Sequence, residues 1–272
     1  MPREQQFDLA KRAEFAANLC EAAGQEALRF FEDRENLTVE AKGAQDWVSE
    51  ADQTVELFIR KALGDAYPED GIVGEEHDTK ESESGFTWVI DPIDGTTNFV
   101  NGIPNWTVVL AGVAAGKTEI GIIHDPVIGE TFSAVRDQGA HLNGVPMHVD
   151  SGKPLEDGTI SVGFCNRIKP EHVLPVLEGV IRKGAMYHRN ASGALSLAYV
   201  AAGRLLGFVE AHMNAWDCLA GQLLIAEAGG VIEDQDADEM IRHGGRVIAA
   251  TPDVFPTLKD IAIAAWEPDT TR

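Results

Sequence analysis

The sequence has few cationic residues and no long hydrophobic run. Lysine and arginine together number 22 against 44 aspartates and glutamates, so the formal net charge is −22. A surface this acidic repels the phosphates of nucleic acids and of anionic lipids. No apolar run approaches the ~20 residues that a membrane-spanning helix needs. The composition therefore argues against nucleic acid or a membrane as a partner, and the same charge should also repel a small phosphate ester.

Cysteine is also scarce, and Cys20, Cys165 and Cys218 lie far apart in the chain. An odd number of separated cysteines forms neither a disulfide framework nor a zinc-binding spacing. The residues that follow Met1 lack the apolar core of a secretion signal. We therefore expect reduced thiols and a cytoplasmic location.

The spacing of apolar residues predicts helices and strands that change in arrangement along the chain. Apolar residues at steps of three and four indicate amphipathic helices over 7–31 and 53–63. Short apolar runs between residues 86 and 135 are separated by glycine-bearing turns, and they predict a largely antiparallel meander. The dipeptide Asn143-Gly144 predicts a further hairpin turn. The acidic run 233–239 is expected to be a solvated loop.

After residue 150 the predicted strands alternate with helices, which is typical of α/β architecture. The polar segment 150–158 gives a natural boundary between the two arrangements. We therefore predict an α/β fold with two parts: an α+β N-terminal part over 1–150, which carries most of the candidate ligands, and an α/β C-terminal part over 151–272.

One short segment, Trp88 to Phe99, concentrates residues that suit metal and anion chemistry. Asp91 and Asp94 follow an apolar strand over 86–90, which Pro92 is expected to end. Two carboxylates and the carbonyl of Ile93 are hard oxygen ligands, which suit Mg²⁺ and not zinc. The residues from Gly95 onward are expected to open a helix or turn whose free N–H groups bind an anion. Considered alone, this motif is also compatible with a solvated acidic turn.

Two further acidic positions are weak signals when each is taken alone. Glu75 and Glu76 follow a short apolar run, and adjacent acids invite a cation but are also common on surfaces. Asp217 follows Trp216 at the start of a predicted helix over 217–228, where an aspartate is commonly a cap.

Together these motifs resemble the inositol monophosphatase family. The resemblance extends over most of the chain, from about residue 7 to about residue 265. It includes the segments 49–52, 121–126, 139–144 and 226–230. The resemblance implies a layered αβαβα sandwich and a lithium-sensitive phosphomonoesterase that uses two or three Mg²⁺ ions. It also implies a homodimer.

The resemblance assigns roles to residues by position. The implied metal ligands are Glu75 as a bridging ligand, Asp91, Asp94, Asp217 and the carbonyl of Ile93. The implied catalytic residues are Asp52 and Thr96, which would orient the attacking water, together with Glu75. The implied substrate contacts are Ile93, Asp94, Gly95, Thr96, Ala194, Glu210 and Asp217. Lys42 matches a lysine near the family's site, although an ordinary surface lysine explains it equally well.

Two departures from the family pattern are expected to leave metal binding untouched and to affect recognition of the leaving alcohol. Ser192-Gly193-Ala194-Leu195 changes the usual order of small residues, and Asn214 stands where a histidine is common. Myo-inositol monophosphate is the favoured substrate. Histidinol phosphate, a nucleotide 3′-phosphate, fructose 1,6-bisphosphate and a non-catalytic protein of the same fold remain as alternatives. The basic residues that would serve a second phosphate are Arg167, Lys169, Arg182, Lys183, His188 and Arg189.

Overall fold

The computed structural model describes residues 7–43, 46–165 and 168–267, apart from the side chains of residues 41–43, 46 and 47. The helices are α1 (Leu9–Glu32), α2 (Glu50–Ala66), α3 (Thr96–Val100), α4 (Pro170–Arg182), α5 (Gly193–Ala201), α6 (Ala215–Glu227), α7 (Ala237–His243) and α8 (Phe255–Trp266). The strands are β1 (Val39–Gly43), β2 (Asp46–Ser49), β3 (Gly71–Gly74), β4 (Phe86–Asp94), β5 (Thr107–Ala114), β6 (Lys117–Asp125), β7 (Glu130–Val135), β8 (Ala140–Leu142), β9 (Val145–Pro146), β10 (Thr159–Val162), β11 (Met186–His188), β12 (Gly207–Met213), β13 (Val231–Ile232) and β14 (Gly245–Ala250).

Two large sheets alternate with three layers of helices, and β1 and β2 pair separately as a two-stranded antiparallel sheet. The larger sheet has the order β3-β4-β5-β6-β7-β8-β9, and the smaller has the order β11-β10-β12-β14-β13. Helices α1 and α2 cover one face of the larger sheet, α5 and α6 lie between the sheets, and α4 and α8 cover the smaller sheet. The predicted α/β fold class and αβαβα layering are confirmed.

Strand β4 shows why the middle of the chain is so apolar. Trp88 and Ile90 pack toward α1 and α2, whereas Val89 between them faces the central helices α5 and α6. Successive side chains of a strand point to opposite faces, and both faces of this sheet are covered by helices. A strand in this position is therefore apolar along its whole length.

Helix α6 lies very close to strand β6. A Cβ atom on Gly121 would stand 2.7 Å from the carbonyl oxygen of Ala220. Glycine at this position therefore sets the distance between α6 and the larger sheet. The start of α6 is brought over the end of β4 by this packing.

Strand β4 continues through Pro92, so the prediction that this proline ends the strand was wrong. Asp91 pairs with Val109 and Asp94 with Thr107, and the register shifts between the two pairs. The shift is a β-bulge, which is one of the places in a sheet where proline is tolerated.

The predicted antiparallel meander and the hairpin turn are confirmed, because β4 to β9 pair antiparallel in sequence order. Asn143 and Gly144 both have positive φ, at 49° and 77°. The prediction of a solvated loop over 233–239 was wrong in part. Asp236 caps α7 by accepting the N–H of Glu239 at 3.0 Å.

The two sheets share one hydrophobic core, to which residues from 73–149 and from 194–249 contribute around α5 and α6. The division of the chain near residue 150 stays a prediction. Among the residues that the structure describes, no helix combines the length and the apolar character that crossing a membrane requires.

Candidate active site

Three aspartates meet at the carboxyl end of strand β4 in the larger sheet. Asp91, Asp94 and Asp217 each place a carboxylate oxygen within 4.8 Å of the others. Asp91 and Asp94 flank the bulge of β4, and Asp217 lies in the first turn of α6. These three residues, called the aspartate cluster below, had been predicted as metal ligands, and the fold brings them together.

The carboxylates of the aspartate cluster are close together, and two of them have raised pKa values. Burial raises the pKa of Asp91 well above its usual range, and the charges of Glu75, Asp94 and Asp217 add to this effect. Burial and the charge of Asp217 raise the pKa of Asp94 to about 7. A bound cation relieves such repulsion. The donor set of carboxylate oxygens fits Mg²⁺.

Asp94 is also held by the start of α5. The hydroxyl of Ser192 and the N–H groups of Gly193 and Ala194, the last at 3.0 Å, donate to its carboxylate. These hydrogen bonds favour the ionised form and oppose the effect of burial. Ala194, which is predicted as a substrate contact, is fully buried, and its N–H is bound to Asp94. Ser192 and Gly193 line the adjacent cavity.

The bulge of β4 leads directly into α3. The N–H of Ile93 donates to Oδ1 of Asp91 at 3.0 Å, and its carbonyl accepts the hydroxyl of Thr96 at 3.2 Å. Gly95 has a φ of +100°, and a Cβ there would lie 2.9 Å from the carbonyl oxygen of Asn105. Glycine is therefore required at the turn that brings Thr96 back toward Ile93.

Asp52 and Thr96 form a second polar pair. The Thr96 hydroxyl also lies 3.1 Å from Oδ1 of Asp52, and the other oxygen of Asp52 accepts the N–H of Ser49 at 2.8 Å. Ser49 is thus the N-cap of α2, and Asp52 completes a capping box. Burial raises the pKa of Asp52 to about 6, and the hydrogen bonds from Ser49 partly offset this effect.

Glu75 and Glu76 follow strand β3 and act on different neighbours. The charge of Glu75 raises the pKa of Asp91, whereas the charge of Glu76 raises that of Asp52. Glu75 is predicted as a metal ligand and its charge acts on Asp91, but its carboxylate is not among the three that lie within 4.8 Å of one another. Glu76 had no predicted role. Lys42 lies on β1, and its side chain is outside the described part of the structure.

A cavity of about 140 Å³ adjoins the aspartate cluster. Asp94 and Asp217 line this cavity and also belong to the cluster. Glu210, on strand β12 of the smaller sheet, lines it as well. A Cβ on Gly163 would stand 1.9 Å from Oε2 of Glu210, so this glycine makes room for the carboxylate. Of the basic residues predicted for a second phosphate, Arg189 lines the cavity. Arg167 is outside the described residues.

Asn98 connects the acidic motif to the segment that precedes α5, and the sequence patterns did not predict this role. The side-chain amide of Asn98 donates to the carbonyls of Asn105 and Asn190 at 2.6 and 2.7 Å. Asn190 in turn accepts the N–H of Ser192 at 3.0 Å. Asn98 stands within the acidic motif, but the carbonyl that it holds is 92 residues away.

Comparison with known proteins identifies the family. A sequence model described as the inositol monophosphatase family matches residues 8–266. The chain belongs to the inositol monophosphatase family. The resemblance stated from its motifs is thereby confirmed.

The proteins that this chain resembles include one named Nus factor SuhB from Haemophilus influenzae. It is 36% identical over 233 residues, covering 84% of this chain and 86% of the relative. The crystal structure of extragenic suppressor protein suhB from Bartonella henselae has a TM-score of 0.86 and 33% identity, covering 92% of this chain and 97% of that one. Thermotoga maritima IMPase has a TM-score of 0.84 and 28% identity, with coverage of 94% and 98%.

The two positions that depart from the family pattern both lie at the start of a helix beside the aspartate cluster. Asn214, in place of the common histidine, is the N-cap of α6, and its N–H lies 3.2 Å from Oδ2 of Asp217. Ser192 is the N-cap of α5 and bonds Asp94. Both changed positions therefore touch candidate metal ligands.

Proposed function

We propose that this protein hydrolyses phosphate monoesters with the help of Mg²⁺ and that myo-inositol monophosphate is its favoured substrate. The observation that carries the proposal is the aspartate cluster of Asp91, Asp94 and Asp217 beside a polar cavity. Membership of the inositol monophosphatase family supports the reaction class.

The metal would be held by the aspartate cluster together with Glu75 and the carbonyl of Ile93. Two or three Mg²⁺ ions would be bound. When bound, Mg²⁺ lowers the pKa of a coordinated water and neutralises negative charge on the phosphate and the leaving oxygen. The protein's net charge of −22 repels anions in general, so phosphate binding should require a divalent cation.

Thr96 and Asp52 would orient the attacking water. The Thr96 hydroxyl has one hydrogen, and both Oδ1 of Asp52 and the carbonyl of Ile93 are within reach of it. Whichever oxygen accepts that hydrogen, the lone pairs of Thr96 Oγ1 are left to accept a hydrogen from water. The N–H groups of Gly95 and Thr96 would bind the phosphate.

The cavity favours an uncharged, hydroxyl-bearing alcohol. Glu210 and Asp217 accept hydrogen bonds from hydroxyl groups but repel a second phosphate. Among the described residues that line the cavity, Arg189 alone is cationic, and its guanidinium lies 3.2 Å from the carbonyl oxygen of Phe164. Fructose 1,6-bisphosphate and nucleotide bisphosphates are therefore less suitable substrates.

Histidinol phosphate is the second candidate substrate, because its amine would suit the carboxylate of Glu210. A Glu210→Gln variant separates the two candidates. It keeps hydrogen bonding to hydroxyls but removes the negative charge, so hydrolysis of histidinol phosphate should fall more than that of inositol monophosphate.

The test is a phosphate-release screen with and without Mg²⁺. The substrates are myo-inositol monophosphates, histidinol phosphate, adenosine 3′,5′-bisphosphate and fructose 1,6-bisphosphate. Asp91→Asn and Asp94→Asn should fold and lose about a thousandfold in rate or more. Asp125→Asn alters a buried acid outside the cluster and should retain activity. Release without metal, or no release from any substrate, would refute the proposal; the latter would favour a non-catalytic role.

A further inference from the structure

One face of helix α2 carries three charged residues at successive turns: Asp52, Glu56 and Arg60. Asp52 contacts Thr96, as described above. Glu56 is fully buried, yet the proposed reaction gives it no role. A buried carboxylate is costly unless it is paired and hydrogen-bonded, so its partners are informative.

Glu56 and Arg60 hold the segment that carries Glu75. Oε2 of Glu56 accepts the N–H of Glu76 at 2.8 Å, and its Oε1 accepts Nε of Arg60 at 2.6 Å. The Arg60 guanidinium also donates to the carbonyl of His77 at 3.0 Å. Two backbone groups directly after Glu75 are therefore fixed to α2.

The residue before Glu75 is fixed by close packing. A Cβ atom on Gly74 would stand 2.2 Å from Oε1 of Glu56. On one side of Glu75, the backbone of Gly74 packs against the Glu56 carboxylate. On the other side, the N–H of Glu76 is hydrogen-bonded to the same carboxylate. Few conformations remain open to the segment 74–77.

We propose that Glu56, supported by Arg60, is a positioning residue that presents Glu75 to the aspartate cluster. Metal ligands depend on outer partners that hold them in place, and loss of such a partner typically weakens metal binding by 10–100-fold. Asp52 lies one turn before Glu56 on α2. The same helix therefore positions both Glu75 and Asp52, which belongs to the water-orienting pair with Thr96. This proposal rests on the proposed metal site.

Binding of Mn²⁺ alone, measured by calorimetry, tests the proposal without any turnover. Glu56→Gln keeps the size of the side chain but replaces one carboxylate oxygen by an NH2 group, which would face one of the two donors, Glu76 N–H or Arg60 Nε, and repel it. We expect its Mn²⁺ dissociation constant to rise about tenfold. The Mg²⁺ concentration for half-maximal phosphate release should rise in parallel, whereas kcat at saturating Mg²⁺ should change much less.

Two further variants make the test specific. Gly74→Ala displaces the same segment from its other side and should weaken Mn²⁺ binding as well, which covers a failure of Glu56→Gln to fold. Asp65→Ala is the matched control, because it breaks the Lys61–Asp65 ion pair at 2.6 Å, which is exposed and lies on the same helix. It should leave Mn²⁺ binding unchanged.

The outcomes separate the two proposals. A Glu56→Gln protein that is less stable without metal but binds Mn²⁺ as the wild type does would show a merely structural ion pair and overturn the inference. If the wild type binds Mn²⁺ and Glu56→Gln weakens that binding, the inference holds even when no substrate releases phosphate. A wild type that binds no divalent metal would overturn both proposals.

Discussion

The hydroxyl of Ser192 donates a hydrogen bond to the carboxylate of Asp94, a residue 98 positions earlier in the chain. The same oxygen accepts the N–H of Leu195 at 3.3 Å and so caps helix α5. One side chain therefore stabilises a buried helix and favours the ionised form of a candidate metal ligand. Stability and metal binding are coupled at this position.

Ser192→Ala should lower the free energy of unfolding by about 1–2 kcal/mol, because both the cap and a buried hydrogen bond are lost. It should also raise the Mg²⁺ concentration needed for half-maximal activity, since the ionised form of Asp94 loses a donor. Denaturant unfolding and a Mg²⁺ titration measure the two effects. Asp236→Ala removes the cap of α7 away from the site, so it should lower stability and leave the Mg²⁺ titration unchanged.

Thr96→Ala should reduce the rate of phosphate release by about 100-fold or more, because water orientation is lost. Its Mn²⁺ affinity should stay close to that of the wild type, since Thr96 contributes no metal-binding side chain in the proposed mechanism. Thr96→Ser keeps the hydroxyl and should recover most of the rate. Loss of Mn²⁺ binding in Thr96→Ala would contradict the water-orienting role.

The metal-free protein should become less stable as the pH rises from about 4 to about 7. Asp52 and Asp94 have folded-state pKa values of about 6 and about 7 against 3.8 for a free aspartate. An acid with a raised folded pKa destabilises the native state as the pH rises from its unfolded to its folded value. Thermal unfolding in EDTA between pH 4 and pH 8 measures this effect.

Mg²⁺ should counteract this loss, because it binds the ionised carboxylates of the folded protein. Asp91→Asn removes an acid whose ionised form is disfavoured in the folded protein, so it should be more stable than the wild type at pH 7 without metal and should gain less from Mg²⁺. A metal-free stability that rises steadily from pH 4 to pH 7 would contradict the electrostatic description of the cluster.

Gly121→Ala should destabilise the protein by about 1–3 kcal/mol, because the new methyl group would press against the backbone of α6 at Ala220. Movement of α6 would also displace Asp217 and lower activity. Gly64→Ala is the matched control: this glycine lies in α2, and no atom of the described residues stands within 4 Å of a Cβ there, so alanine should stabilise by about 0.5–1 kcal/mol. Equal stabilities of the two variants, measured by denaturant unfolding, would refute the role given to Gly121.

Sequence periodicity predicts most helices and strands here because burial on one or both faces leaves a regular pattern of apolar residues. It fails at Pro92, where the strand continues. The bulge at this point depends on pairing with β5, whose residues Val109 and Thr107 are opposite Asp91 and Asp94. No local feature of the sequence between Asp91 and Asp94 shows that pairing.

Glu56 and Asn98 were missed for a related reason. On the sequence, Glu56 is an ordinary charged residue of an amphipathic helix, and it becomes notable because it is fully buried and accepts the N–H of Glu76, 20 residues later. Asn98 stands within a recognisable motif, but its partner Asn190 lies 92 residues away. Burial and long-range hydrogen bonds are properties of the packed molecule.

The sequence by itself determined the family, the net negative charge and the nearness of Asp91 to Asp94, because residues three positions apart can separate by at most about 10 Å. The tertiary structure decided which carboxylates meet. Asp217 reaches Asp94 because α6 packs over the larger sheet at Gly121, and Asp94 is held by α5 through Ser192. Separation along the chain does not bring such residues together, since the packing of α5 and α6 sets these distances.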